Sequence, residues 1–131
     1  MSLFTAGVEE VKTKIRAFIV GANHTGKIVY IYGSSTRGLT ILQFLDLDNF
    51  YLPKAVERNP LKVGLQVAGL GIPIISEEQA RAERPDYMLV LPYFYIDEFV
   101  KREVNWLQQG GQFIVPLPEP RLIGSRRVVF L

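Results

Sequence analysis

The chain has no cysteine, and among its 131 residues only one histidine, His24. Without thiols there is no disulfide, no thiolate nucleophile and no cysteine zinc site, and one imidazole does not assemble a zinc cluster. Long apolar runs are scarce too. The most apolar, residues 87–96, is interrupted by Pro92 and falls far short of the ~20 residues a bilayer crossing needs, so no membrane partner is expected. Glu9 and Glu10 stand where the apolar core of a secretory signal would begin, which makes the cytoplasm the expected compartment. Charge of one sign is scarce as well: 15 Lys and Arg face 13 Asp and Glu, scattered along the chain. Nucleic acid is therefore not an expected partner.

What is present describes one folded unit behind a leading helix. Val8, Val11, Ile15, Phe18 and Ile19 recur at helical spacing, so residues 1–26 read as an amphipathic helix ending near Gly21, plus a loop. Residues 27–131 read as a single globular unit. In it, Val29 and Ile31 mark a short strand, and Leu39, Ile41, Leu42, Phe44 and Leu45 a helix. Strands are predicted at 52–57, 72–75 and 86–91, the last a continuous apolar run after Asp86, as in a strand buried on both faces. Ser76 caps a short helix at 79–82. Asp97 caps another, with Phe99, Val100, Val104 and Leu107 as its inner stripe and Gly110-Gly111 as its stop. Strands at 113–117 and 127–131 close the chain. Strands alternating with helices predict an α/β fold: a Rossmann-like three-layer sandwich, its sheet mostly parallel with helices on both faces.

Two segments approach a phosphate-binding pattern. Gly21-Ala22-Asn23-His24-Thr25-Gly26-Lys27 has the spacing of a phosphate loop, but Ile28 replaces the hydroxyl residue and the segment precedes a strand, so it reads as a solvated loop. Gly33-Ser34-Ser35-Thr36-Arg37-Gly38 follows a strand and opens a helix, yet Leu39 stands where a lysine would and the three-glycine dinucleotide pattern is missing. What remains is a helix's first turn with free amides and three hydroxyls, a generic anion site. Arg37 there opposes the helix dipole at a cost of about 0.3–1 kcal/mol unless an anion lies between them. An anion site and a plain turn with Arg37 in water are both open readings.

In a parallel sheet the same edge would receive Glu57, which either meets the hydroxyls of a ribose or deoxyribose or pairs at the surface together with Arg58. Asn59-Pro60 marks a turn. Pro92-Tyr93-Phe94-Tyr95 follows the buried strand, so its rings stack on a base, pack on another domain or cover the next helix. Trp106 reads as helix packing. Glu77 and Glu78 read as first-turn helix acids and not as a catalytic pair.

Taken together, YGSSTRG, AVERNPLKVG, GIPIIS, RPDYMLVLPYFYIDEFV and GGQFIVPLPEPRLI resemble, from about Lys27 to Ile123, the C-terminal domain of the S-adenosylmethionine-dependent C-methyltransferases of nucleotide-linked deoxysugars. The resemblance implies a domain that helps to hold a nucleotide-diphosphate sugar, beside a zinc module and a methyltransferase domain that this sequence does not contain. It implies no cofactor bound here, S-adenosylmethionine being held by a methyltransferase domain in cis or in trans, and no catalytic residue. It implies substrate contacts from Gly33, Ser34, Ser35, Thr36, Arg37 and Gly38 to the diphosphate and from Glu57 and Arg58 to the sugar side, with Tyr93 and Phe94 at the border. Leu39, Phe94, Ala68 and Leu70 depart from residues that are often asparagine, histidine, proline and threonine in that family. A non-catalytic interaction module and an independent nucleotide binder are the alternatives.

Overall fold

The computed structural model describes residues 2–33, 45–47, 49–67, 70–117 and 119–131, with the backbone alone described for 2–8. The chain opens with α1 (Ser2–His24). Val11, Ile15, Ile19 and Ala22 form its buried stripe, while Lys14 pairs with Glu10 at 2.8 Å on the outer side. The helix runs past the expected stop at Gly21. Gly21 has no need of a left-handed backbone, and the chain reverses at Gly26 (φ 80°), where the Thr25 hydroxyl and the Lys27 amide both donate to the Ala22 carbonyl at 2.9 Å.

Eight strands are described: β1 (Val29–Tyr32), β2 (Ala55–Glu57), β3 (Gln66–Val67), β4 (Ile72–Ser76), β5 (Tyr87–Val90), β6 (Gln112–Val115), β7 (Arg121–Ile123) and β8 (Val128–Phe130). They form one sheet in the order β3-β4-β2-β1-β5-β6-β7-β8. This corrects the expected Rossmann-like, mostly parallel sandwich: the sheet is mixed. β4, β2, β1, β5 and β6 are parallel neighbours, but β3 runs antiparallel to β4, β7 to β6 and β8 to β7. The reason is connection length. A parallel return needs a crossover of about a dozen residues or more, usually helical, and the segments 116–120, 124–127 and 68–71 are too short for one. β3 and β7 had no counterpart in the predicted elements.

Alternation along each strand divides the core in two. Val29, Ile31, Ala55, Ile72, Leu89, Ile114 and Leu122 join the α1 stripe with Leu45, Leu47 and Leu52. Tyr30, Tyr32, Val56, Ile75, Met88, Val90, Phe113 and Val115 face the other way, onto Ala80, Phe99, Trp106 and Leu107. Register keeps each set together: Ile31 pairs with Ala55 and Leu89, Tyr32 with Val56 and Val90.

Three short helices supply that second face. α2 (Glu77–Glu83) is capped by Ser76, whose Oγ accepts from the Gln79 amide at 3.0 Å. Beyond it, α3 (Ile96–Arg102) and α4 (Val104–Gln108) replace the single expected helix. The break falls at Glu103, whose side chain is drawn inward to partners on other elements. Asp97 is not the cap of α3. It lies in the first turn, behind Tyr95 at the cap position, which makes no side-chain capping bond. Val104, expected inside, is exposed, and Trp106 takes the inner place, its Nε1 donating to the Pro85 carbonyl at 2.8 Å. No described helix is long and apolar enough to cross a membrane.

Candidate functional site: a cleft at the carboxyl ends of the central strands

β1 and β5 are neighbours, and the chain passes from β1 to β2 on one side and from β5 to β6 on the other, so the strand order reverses between them. Such a reversal is where open α/β sheets place ligands. A cleft of about 300 Å³ opens there, lined by the carboxyl ends of β1 and β2, Pro92 beyond β5, and α2 and α3.

Gly33 begins the turn after β1. Its φ is +87°, its amide donates to the Val56 carbonyl at 2.9 Å, and an added Cβ would stand 2.6 Å from Cδ of Pro92. Conformation and close approach both demand glycine at this position. At the end of β2, Glu57 accepts from the Asn59 amide at 3.2 Å. Asn59 Oδ1 accepts from the Leu61 amide at 3.0 Å and its carbonyl from the Lys62 amide at 3.0 Å, so a tight turn brings Arg58 and Lys62 to the same opening.

The floor is a polar network. The Tyr32 ring is buried edge-on against Phe99 (4.8 Å) and Phe113 (5.4 Å), and its hydroxyl donates to Glu103 Oε2 at 2.9 Å. Glu103, 2% exposed, also accepts from Arg81 through Nε at 2.9 Å and Nη2 at 2.8 Å, a forked charge-assisted pair. Glu77 Oε2 lies 3.2 Å from the Tyr32 hydroxyl and accepts from Arg102 Nη1 at 2.9 Å. Burial, reinforced by the Glu103 and Glu77 carboxylates, pushes the Tyr32 phenol well above the ordinary tyrosine range. Tyr32 is thus a neutral donor, and Glu77 and Glu103 are engaged by arginines. The network offers oriented donors and acceptors.

The structure brings Gly33, Glu57 and Arg58 together on this lining. Ser34, Ser35, Thr36, Arg37 and Gly38 lie outside the described residues, as does most of the helix expected after them. Tyr93 and Phe94 sit in the helical turn Tyr93–Tyr95, their rings stacked at 4.2 Å, beside the cleft and not in its lining, which takes Tyr95 instead. Sequence reasoning did not single out Tyr32, Lys62, Glu98 and Arg102 for this lining, and read Glu77 only as a helix-start acid. Lys62 had a signal in the Asn59-Pro60 turn. Arg102 had none, because helix packing alone carries it to Glu77.

Fold and cleft define an open-sheet α/β domain with a cleft at the carboxyl ends of its parallel strands. The chain belongs to the C-methyltransferase C-terminal domain family, whose model matches residues 1–118. It is similar to the C-methyltransferase NovU of Streptomyces niveus, with 38% identity over 122 residues, covering 93% of this chain and 29% of that protein. The chain therefore corresponds to less than a third of the relative's length.

Proposed function

We propose that this domain positions the substrate of a C-methyltransferase, and that the substrate is a nucleotide-linked deoxysugar. The carrying observation is the lining of the cleft: Arg58, Lys62 and Arg102 share with Glu57, Glu77 and Glu98 an opening of about 300 Å³. A bare anion hole would be cationic throughout. Mixed charge suits a ligand that is anionic at its phosphates and rich in hydroxyl donors at its sugars. In this reading Gly33, Ser34, Ser35, Thr36, Arg37 and Gly38 cradle the diphosphate, Arg37 neutralises it, Glu57 accepts sugar hydroxyls next to Arg58, and Tyr93 and Phe94 border the base or a partner domain. The methyl donor, S-adenosylmethionine, belongs to a methyltransferase domain in cis or in trans. Carbon methylation requires a base to remove a proton beside a carbonyl so that the carbanion attacks the methyl group, and that step is assigned to the other domain.

Calorimetric titration of the chain with thymidine diphosphate, a thymidine-diphosphate sugar, NAD and S-adenosylmethionine tests the reading. Heat from the thymidine nucleotides alone supports it. Arg37→Ala should then weaken thymidine diphosphate by about 1.5–3 kcal/mol, the worth of a hydrogen bond to a charged group. Silence with every ligand overturns it and favours an interaction module, for which the exposed rings of Phe94 and Tyr95 are the supporting observation.

A further inference from the structure

Arg102 lies at the end of α3, at the floor of the cleft. Its hydrogen bonds to described residues all run through Nη1, to Glu77 Oε2 at 2.9 Å and to the Tyr32 hydroxyl at 3.4 Å. The guanidinium rests on the Phe99 ring, 5.4 Å from its centroid. A guanidinium has five N–H donors in a rigid plane. Two are used here, which leaves Nε and Nη2 directed to no described residue, and no buried side-chain nitrogen or oxygen in the described structure is without a partner. Among the described residues these donors are uncommitted, on a side chain that lines the cleft. One edge of the plane is fixed by a carboxylate, a phenol and an aromatic face, and the other meets no described residue at the cleft.

We infer that Arg102 is an oxyanion-binding residue of this cleft, taking a phosphate of the ligand through Nε and Nη2 while Glu77 and Tyr32 hold the opposite edge. The inference rests on the nucleotide-sugar reading of the cleft and adds to it a second cationic contact. The fixed edge is what makes this arginine suited to the task. An unrestrained side chain loses rotamer freedom on binding, whereas this one is already oriented, so less affinity is lost to ordering. Arg81 does not serve in the same way, since its fork is closed on Glu103.

The test is calorimetry with thymidine diphosphate on the wild-type chain, Arg102→Gln and Arg102→Lys, with thermal unfolding recorded for each. Arg102→Gln should bind at least about tenfold more weakly, and the loss of affinity from low to high salt should become shallower, because one charge contact is gone. A merely structural role would leave the salt dependence unchanged. Arg102→Lys keeps the charge facing Glu77 and tests the fork if the glutamine variant does not fold; it should bind several-fold more weakly than wild type. Wild-type binding with both variants unchanged overturns the role of Arg102 alone. Absence of wild-type binding overturns the nucleotide reading and this inference with it.

Discussion

The Tyr32 hydroxyl donates to Glu103 Oε2 at 2.9 Å across 71 residues of sequence, tying the end of β1 to the junction of α3 and α4. Burial first, then the neighbouring carboxylates, raise the Tyr32 phenol, and burial with Glu83 raises that of Tyr30. A raised folded value means that stability is whole below the unfolded value near 10.0 and is lost as pH climbs beyond it. In an alkaline titration followed by near-ultraviolet absorbance, two of the six tyrosines should ionise late and together with unfolding. The Tyr30→Phe, Tyr32→Phe double variant should lack that late phase. A late phase of unchanged size in that variant would contradict the assignment.

Arg81 is the forked partner of a carboxylate that is 1% exposed at its side chain. Removing it leaves the Glu103 carboxylate with the Tyr32 hydroxyl as its remaining hydrogen bond among the described residues. Arg81→Ala should therefore cost about 2–3 kcal/mol in urea unfolding, near the lower end for a broken buried pair because Arg81 itself is partly solvated. Glu10→Gln, which breaks the exposed pair with Lys14, is the control and should leave the midpoint where it is. Equal effects from the two variants would show that burial of Glu103 is not what matters.

How legible the chain was depends on the range of each signal. Ser76 as a helix cap, the strands around Ile31, Ile74 and Leu89, and the stop at Gly110 were readable because periodicity and capping are local. The parallel centre was readable for the same reason, but the antiparallel edges were not. They depend on the shortness of the connections before β4, β7 and β8, and β3 and β7 have only two and three residues in which to show a period. The split between α3 and α4 is set by Glu103 reaching Arg81 and Tyr32, a tertiary cause without local trace. Gly33, Glu57 and Arg58 stand at strand ends, and the cleft lining takes all three. Tyr32, Glu77 and Arg102 become one cluster only when α2 and α3 pack side by side on the sheet.

Gly33 meets both reasons for which glycine is irreplaceable. At φ +87° an L side chain is strained, and a Cβ would lie 2.6 and 2.8 Å from Cδ and Cγ of Pro92. Gly33→Ala should destabilise the chain by about 2–4 kcal/mol, combining the left-handed conformation with overpacking against a rigid ring. Gly64→Ala is the comparison: its φ is +91° with nothing within 4 Å of an added Cβ, so it should show only the conformational part, about 1–2 kcal/mol. Matching losses in chemical denaturation would mean that Pro92 gives way and contributes nothing to the requirement.

Glu83 gives the acid limb of stability. Its carboxylate accepts from Lys54 Nζ at 2.8 and 3.0 Å, from the Tyr30 hydroxyl and from Gln79 Nε2 at 2.9 Å. Lys54 first, then Tyr30 and Gln79, lower its pKa from 4.5 to about 2. A depressed folded value means that the contribution is present above the unfolded value and fades as pH falls toward 2. The urea midpoint should therefore fall across this window, and Glu83→Gln should be less stable than wild type at neutral pH. Because the variant binds no proton at this position, its own decline should be shallower, and the two curves should converge at the acid end. A wild-type advantage of constant size from neutral pH to pH 2 would mean that the glutamate acts through packing or hydrogen-bond geometry and not through its charge.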